Sequence, residues 1–335
     1  MQLTKRLRLF LFLSLGIGAA APVLLQLRNP RFFSSFQKLS FWNLVIPFIA
    51  YFIVYAIDAL RLKIILKPFD IHLPLTTRLE NGILGSFYSN ITPMAAGGQP
   101  FQIYHLSKAG VPHSIAGAVI LVRYTEFLLT SIMMTFIGAM IYAHKILRLS
   151  DNILGGDRIL FIGLGLYLLL TLLLLAIFLA PQKMEALLLK FPKFPKTPKI
   201  SKKIKSTIHD FCEAIIFLRK KASWQLTADF LLGLMDLVLQ AFSLWFVLRI
   251  ISSDIENFPT TLISFVLLNS IAYFVPTPGG SGGVEGLYTL FFSTFSTFSA
   301  VDVGAVVVVW RMGSYYLHIG FQILILIFGK SSKNI

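Results

Sequence analysis

Two short breaks in otherwise apolar sequence limit what this chain can fold into. Thr92-Pro93-Met94-Ala95-Ala96-Gly97-Gly98-Gln99-Pro100 lies in the first half, and Pro276-Thr277-Pro278-Gly279-Gly280-Ser281-Gly282-Gly283 lies in the second. Proline removes an amide donor and glycine loosens the backbone. In lipid, such breaks persist only where protein or a watery cavity satisfies the freed polar groups. A matched pair of broken segments in the two halves of a membrane protein points to a transport site near the midplane.

The rest of the sequence fits that setting. Hydrophobic residues make up 56% of the 335 and charged residues 13%, and the stretch 159–180 carries no charge at all. A run of that length suffices for a spanning helix. The longest polar stretch, 181–221, falls short of the roughly 50 residues of a folded soluble domain, so 1–335 reads as one integral membrane domain. The single cysteine, Cys212, excludes a disulfide framework, and no Cys/His spacing suggests zinc. No metal or other cofactor is expected. After Lys5, Arg6 and Arg8 an apolar run continues for about 21 residues, longer than a cleavable signal core, and reads as a retained span.

Hydropathy and breakers together predict an all-α polytopic fold with six full spans near 7–27, 41–66, 114–143, 159–180, 224–251 and 303–328. The arms 82–92, 94–106, 262–275 and 284–297 are too short to cross. At 1.5 Å per residue they reach roughly 16 to 21 Å, about the middle of the bilayer. They are read as two re-entrant hairpins. Cytoplasmic placement of the N-terminus, of 61–80, of 181–221 and of Lys330 and Lys333 follows the positive-inside rule, with Arg28, Arg31 and Lys38 as exceptions. The hairpins then enter from opposite sides as an inverted pseudo-repeat, and their tips meet near the midplane. The basic stretch 181–221 holds 11 Lys and Arg against Glu185, Asp210 and Glu213. Its 200–218 portion has the pattern of an amphipathic surface helix able to gather anionic lipid. Nucleic-acid binding is not expected, because no folded module would position it.

Charge inside the spans marks candidate function. Arg123 and Glu126 lie three apart on one helix face, where they form either a local ion pair or part of a cavity wall. Arg311 has no acid within four residues, and its candidate partners are Glu285, Glu126 or an anionic ligand. Asp229 and Asp236 form a further stripe; Asp229 is near enough to Trp224 to reach the interface, while Asp236 is deeper, as a buried hydrogen-bonded acid, a proton relay or a partner near Arg249. His318 reads as a core histidine, and Tyr288, Tyr315 and Tyr316 as packing residues. Free amides at the start of the arm after Gly283 would make an anion site for phosphate.

These residues carry a resemblance. Pro278-Gly279-Gly280-x-Gly282-x-x-Glu285 is similar to the signature of the flippase-like transmembrane family that includes the N-terminal membrane domain of lysylphosphatidylglycerol synthase. Arg311 falls where that family places an arginine, Gly97-Gly98-Gln99-Pro100 resembles its Gly-Gly-Glu-Pro form, and Arg123 and Glu126 resemble its Glu-Arg-x-x-Asp element. Gln99 and Val122 stand where the family has glutamate. The resemblance implies a lipid-translocating unit, expected in the cell membrane, and the positive-inside count puts both termini on the cytoplasmic side. It does not extend to the soluble aminoacyl-transfer domain, so synthase activity is not expected. The implied cargo is an anionic phospholipid or polyprenyl-phosphate-linked intermediate. Lipid-synthesis enzymes or further copies of the chain are the implied partners.

No Gly-x-x-x-x-Gly-Lys-Ser/Thr loop is present, so movement would be passive, ion-coupled or product-driven. Two other classes compete with translocation. One is an intramembrane lipid-modifying transferase with Glu285 or Glu126 as base, which would need a nearby nucleophile. The other is a non-transporting subunit of a lipid or envelope-glycan synthesis complex.

Overall fold

The computed structural model describes residues 40–150, 156–190, 198–251, 257–272, 277–295 and 299–328. The expected span 7–27, and Arg28, Arg31, Lys38, Lys330 and Lys333, lie outside the described residues. Among the described residues every regular element is helical.

The first long helix, α1 (Phe41–Leu66), starts at Ser40, whose amide donates to the Asn43 side chain at 2.7 Å. A 3-10 turn, Lys67–Phe69, ends it. The first hairpin follows as α2 (Leu75–Ile91) and α3 (Gly98–Lys108). Then come α4 (His113–Ser150), α5 (Gly156–Leu179), α6 (Pro181–Leu189), α7 (Pro198–Lys221) and α8 (Ser223–Ile251). The second hairpin is α9 (Phe258–Ala272) and α10 (Gly283–Phe295). The last helical run is α11 (Ala300–Arg311), a π turn Met312–Tyr316, and α12 (Leu317–Phe328).

Three of these helices are long and apolar enough to span: Phe41–Phe69, His113–Gly138 and Ser223–Arg249. Leu164–Leu179 and Pro181–Leu189 pass that test only together, and they bend by 102° at the proline junction. Pro181 explains the bend, since it lacks the amide that would continue the ladder and pushes Ala180 out of helical conformation.

Two boundaries differ from the sequence expectation. α1 ends at Leu66 as the span 41–66 expects, but α2 begins at Leu75, inside the stretch expected as a loop, so the first hairpin arm has 17 residues. Hydropathy rejects this turn of α2 because it contains Arg78 and Glu80. The structure accommodates Arg78 by donation to Ala59 O at 2.8 Å and Leu73 O at 3.2 Å. The stretch 181–221 likewise contains two helices. The apolar face of α7 packs into the protein, with Ala214, Ile215 and Leu218 buried against Ala116, Val119 and Val122 of α4. Its exposed face carries Lys202, Lys203 and Lys205.

Two main apolar clusters result. One joins α8, α9, α10 and α11 around Phe265, Tyr288 and Trp310, and the other joins α1, α3, α4 and α7. Met133, Phe136, Leu169 and Leu172 remain exposed along α4 and α5, as suits a lipid-facing surface. Because lipid tails are as apolar as leucine, burying such side chains gains little between helices; close packing and polar contacts must fix the arrangement.

Cys212, outside the spanning segments, is 2% exposed beneath α6. Burial, reinforced by the negative charges of Glu185 and Glu213, pushes its thiol up to about 11. The neutral form is thus favoured by folding, and this contribution is lost only as the pH rises toward that value. We expect alkylation of native protein at roughly pH 8.5 to be at least tenfold slower than after denaturation, as followed by mass shift.

Candidate functional site

The two tips meet. Pro93 and Pro278 form an isolated antiparallel bridge between the turns that separate the arms of each hairpin. In the first turn the Thr92 hydroxyl donates to Tyr88 O at 2.6 Å and accepts from the Gly97 amide at 2.9 Å. The Tyr315 hydroxyl ties the tips together, lying 2.9 Å from Asn90 O, 3.3 Å from Pro278 O and 3.4 Å from the Ser281 hydroxyl.

The glycines of the tips serve different purposes. Gly279, Gly280 and Gly282 have φ of 56°, 66° and 85°, a left-handed backbone that L side chains resist. In the first tip that conformation falls on Met94 and Ala95, with φ of 54° and 53°. Gly97 and Gly98 instead permit close approach: a Cβ on Gly97 would lie 2.7 Å from the Thr92 methyl, and one on Gly98 would meet the Ser89 hydroxyl.

Beside the second tip, Glu285 receives three donors. Arg311 Nε donates to Oε1 at 2.9 Å, the Tyr316 hydroxyl to Oε1 at 2.9 Å, and the Gly282 amide to Oε2 at 2.7 Å. Arg311 also donates to Gly279 O at 3.1 Å, and its guanidinium carbon stands 3.9 Å from the Tyr315 ring centre. The π turn makes this possible by placing Tyr315 and Tyr316 just after Arg311 while Gly313 presses onto α1. A Cβ there would come within 2.7 Å of Leu44 O. Such π turns frequently mark functional sites.

This geometry corrects one expectation. Four amides of the expected anion cradle are already taken, because Gly280 N, Ser281 N and Val284 N bond Thr277 O, Pro278 O and Gly280 O while Gly282 N is taken by Glu285. An internal carboxylate occupies the place expected for phosphate.

A second charged cluster joins α1, α4 and α8. Arg61 grips Asp229 with two parallel bonds, Nε to Oδ1 at 3.2 Å and Nη2 to Oδ2 at 2.9 Å. Gly233 makes room for it, since a Cβ would lie 3.0 Å from Arg61 Nη2. Arg123 pairs with Asp58 and stands 3.6 Å from Asp229, while Glu126 is 3.7 Å from Arg61. Asp58 needs a glycine opposite: a Cβ on Gly82 would sit 2.6 Å from its Oδ2. Arg123 and Glu126 therefore each reach across to α1, so neither is confined to the local ion pair that their spacing allows as one of two arrangements. Asp229, fully buried, does not reach the interface. Asp236 accepts from Gln240 at 2.8 Å, whereas Arg249 lies over Trp245.

Between the tips and this cluster lies a cavity of about 400 Å³. Its wall includes Gln99, Arg123, Gly279, Gly280 and Arg311 from the residues expected, with Asp58, Arg61, Asp236, Gln102 and Gln240 in addition. Glu126 borders a smaller chamber of about 30 Å³ that shares Arg61, Asp236 and Gln240 with the first. Glu285 stands behind Arg311, and Gly97, Gly98, Pro100, Pro278 and Gly282 shape the tips without lining the cavity. His318 is a core residue, with a ring nitrogen 3.1 Å from Phe48 O. Asp58 and Arg61 are additions to the residues expected from the sequence, where Arg61 counts toward the basic segment 61–80. The rule that singled out Arg123, an ionisable side chain in an apolar run, finds both.

Helices of spanning length, interrupted arms meeting tip to tip, and a charged cavity bordered by them define a helical membrane protein with a polar site between its helices. The chain belongs to the family described as the lysylphosphatidylglycerol synthase TM region, whose match covers residues 11–321. No curated protein and no solved structure matches it.

Proposed function

We propose that this protein translocates the headgroup of an anionic lipid, a phospholipid or a polyprenyl-phosphate-linked intermediate, between membrane leaflets. The observation that carries the reading is the cavity of about 400 Å³ bounded by both hairpin tips and by three buried arginines. That volume suits a polar headgroup, with the acyl chains remaining in the bilayer. In this reading six spans cross the cell membrane with cytoplasmic termini, the hairpins open to opposite faces, and parting of one tip or the other admits the headgroup from one side at a time.

The arginines are already paired, so a phosphate enters by exchange. A guanidinium has five donors, and Arg311 uses Nε and Nη2 in the contacts above, leaving others for an anion. The Glu285 carboxylate stands in for phosphate while the site is empty and yields part of its donor set when one arrives. Gln99 adds a neutral hydrogen-bonding group from the first tip. No chemistry on the lipid is part of this proposal.

Reconstituted protein tests it. Fluorescent headgroup-labelled phosphatidylglycerol in both leaflets of liposomes should become fully accessible to an external quencher when the protein is present, against about half in protein-free liposomes. Equal accessibility in the two would sink translocation. Mass spectrometry of the same lipids should find them unchanged, and a new lipid species would move the protein to the transferase class.

A further inference from the structure

The cluster on α1, α4 and α8 is unbalanced in charge. Asp58, Glu126, Asp229 and Asp236 face two guanidinium groups, Arg61 and Arg123, while Arg311 is matched by Glu285. Fully ionised, these carboxylates exceed the guanidinium groups by two. Excess charge out of water costs several kcal/mol per ion after relaxation, and carboxyl groups so crowded relieve it by taking up protons.

The hydrogen bonds show which carboxyl groups are left over. Asp229 holds both bonds from Arg61, and Asp58 holds Arg123. Glu126 has the long approach to Arg61 at 3.7 Å and a carboxyl–carboxyl contact with Asp229, with no guanidinium at hydrogen-bond distance, and its Oε2 is buried without a hydrogen-bond partner. It borders the chamber of about 30 Å³, room for about one water, with Asp236 and Gln240 on the same wall. Those two also line the central cavity, so the chamber lies between that cavity and Glu126.

We propose that Glu126 is a reversible proton-binding site, filled from the central cavity by way of Asp236, and that its protonation is coupled to the movement of the headgroup. The coupling rests on the translocation reading above. As a carboxylate, Glu126 competes with Asp229 for Arg61; as an acid, it releases Arg61 to Asp229. Arg61 lines both chambers, so each proton taken up or lost shifts a charge in the wall that the headgroup passes.

The groups able to modulate Glu126 are few. They are Arg61 and Asp58 on α1, Arg123 on its own helix, and Asp229 and Asp236 on α8. Of the other helices packed on α4, α9 carries no ionisable side chain, and α5 contributes Tyr167. His105 of α3 lies 3.8 Å from Glu80, Glu285 of α10 is held by Arg311, and the α7 charges are mainly exposed. Tyr51, Tyr55, Tyr124 and Tyr315 complete the titratable wall of the cavity.

Infrared difference spectra of the whole protein in lipid nanodiscs, taken across a pH titration, read the proton directly. A protonated-carboxyl band that titrates in the wild type should vanish in Glu126→Gln and return, shifted, in Glu126→Asp. In liposomes with an imposed pH difference, the leaflet ratio of labelled phosphatidylglycerol should move toward about tenfold per pH unit for one proton per headgroup. A sodium gradient should leave it unchanged, and the residual transport of Glu126→Gln should ignore the pH difference. A carboxyl band that survives Glu126→Gln overturns the site. Translocation indifferent to the pH difference, or following sodium, overturns the coupling. Wild-type protein that moves no lipid under any gradient refutes the transport reading and its coupling, while the infrared band still decides the proton site.

Discussion

Asp229→Ala is expected to destabilise the protein by about 3–5 kcal/mol, the usual consequence of removing one partner from a buried ion pair. Asp229 is fully buried between Arg61 and Arg123, two guanidinium groups on different helices. Its loss leaves Arg61 with Glu126 at 3.7 Å and no short bond in place of the two it had. Thermal unfolding in detergent, read as the loss of monodisperse protein, measures the effect. The double variant Asp229→Leu with Arg61→Met should recover most of the loss, because apolar side chains of similar volume replace a buried pair at little cost. Asp229→Ala melting within about 0.5 kcal/mol of the wild type, the range of an ordinary surface substitution, would show that the cluster does not hold α1, α4 and α8 together.

Arg311→Ala is expected to reduce phospholipid translocation in liposomes to the protein-free rate. Its side chain connects the Glu285 carboxylate, the Gly279 carbonyl and the Tyr315 ring, and no other cation stands at the second tip among the described residues. Arg311→Lys should recover little, with a rate at least tenfold below wild type. An ammonium has neither the planar stacking surface nor the fork that reaches a carboxylate and a carbonyl together. Arg311→Ala also leaves Glu285 buried with a neutral hydroxyl and an amide, so part of its loss will be one of stability. Glu285→Gln combined with Arg311→Ala separates the two effects: it should regain the melting temperature without regaining transport. Wild-type rates in Arg311→Ala would remove Arg311 from the translocation site.

Much of the frame was legible because it depends on short-range rules. The lengths of α1, α4 and α8 follow from long, mainly apolar sequence, and the turns at 92–97 and 277–282 follow from proline and glycine. The amphipathic period of 200–218 gave α7, but not its partner. Its apolar face meets α4 inside the protein, where a membrane surface would have satisfied the same pattern. Arg311 with Glu285 was legible as one of three pairings, since an isolated intramembrane arginine requires a counter-charge. The pairing of Arg123 was not, because spacing by three permits a contact with Glu126 and says nothing of Asp58, 65 residues away. The amides after Pro278 show the same limit. A helix start implies free donors, but here the turn uses those of Gly280, Ser281 and Val284, and Glu285 uses that of Gly282.

The sequence by itself determined that this is a helical membrane protein with two interrupted hairpins and ionisable residues within its apolar segments. Apolar run length and backbone breakers act locally, and no partner is needed to read them. Only the tertiary structure decided that the tips pair at Pro93 and Pro278, that Asp58 and Arg61 belong with Arg123 and Asp229, and that Glu126 is left with a buried oxygen without a hydrogen-bond partner. The reason is physical. In lipid, apolar faces pack with little preference for one another, so the arrangement of helices rests on where glycines admit close approach and which buried charges find each other, and those are contacts between distant parts of the chain.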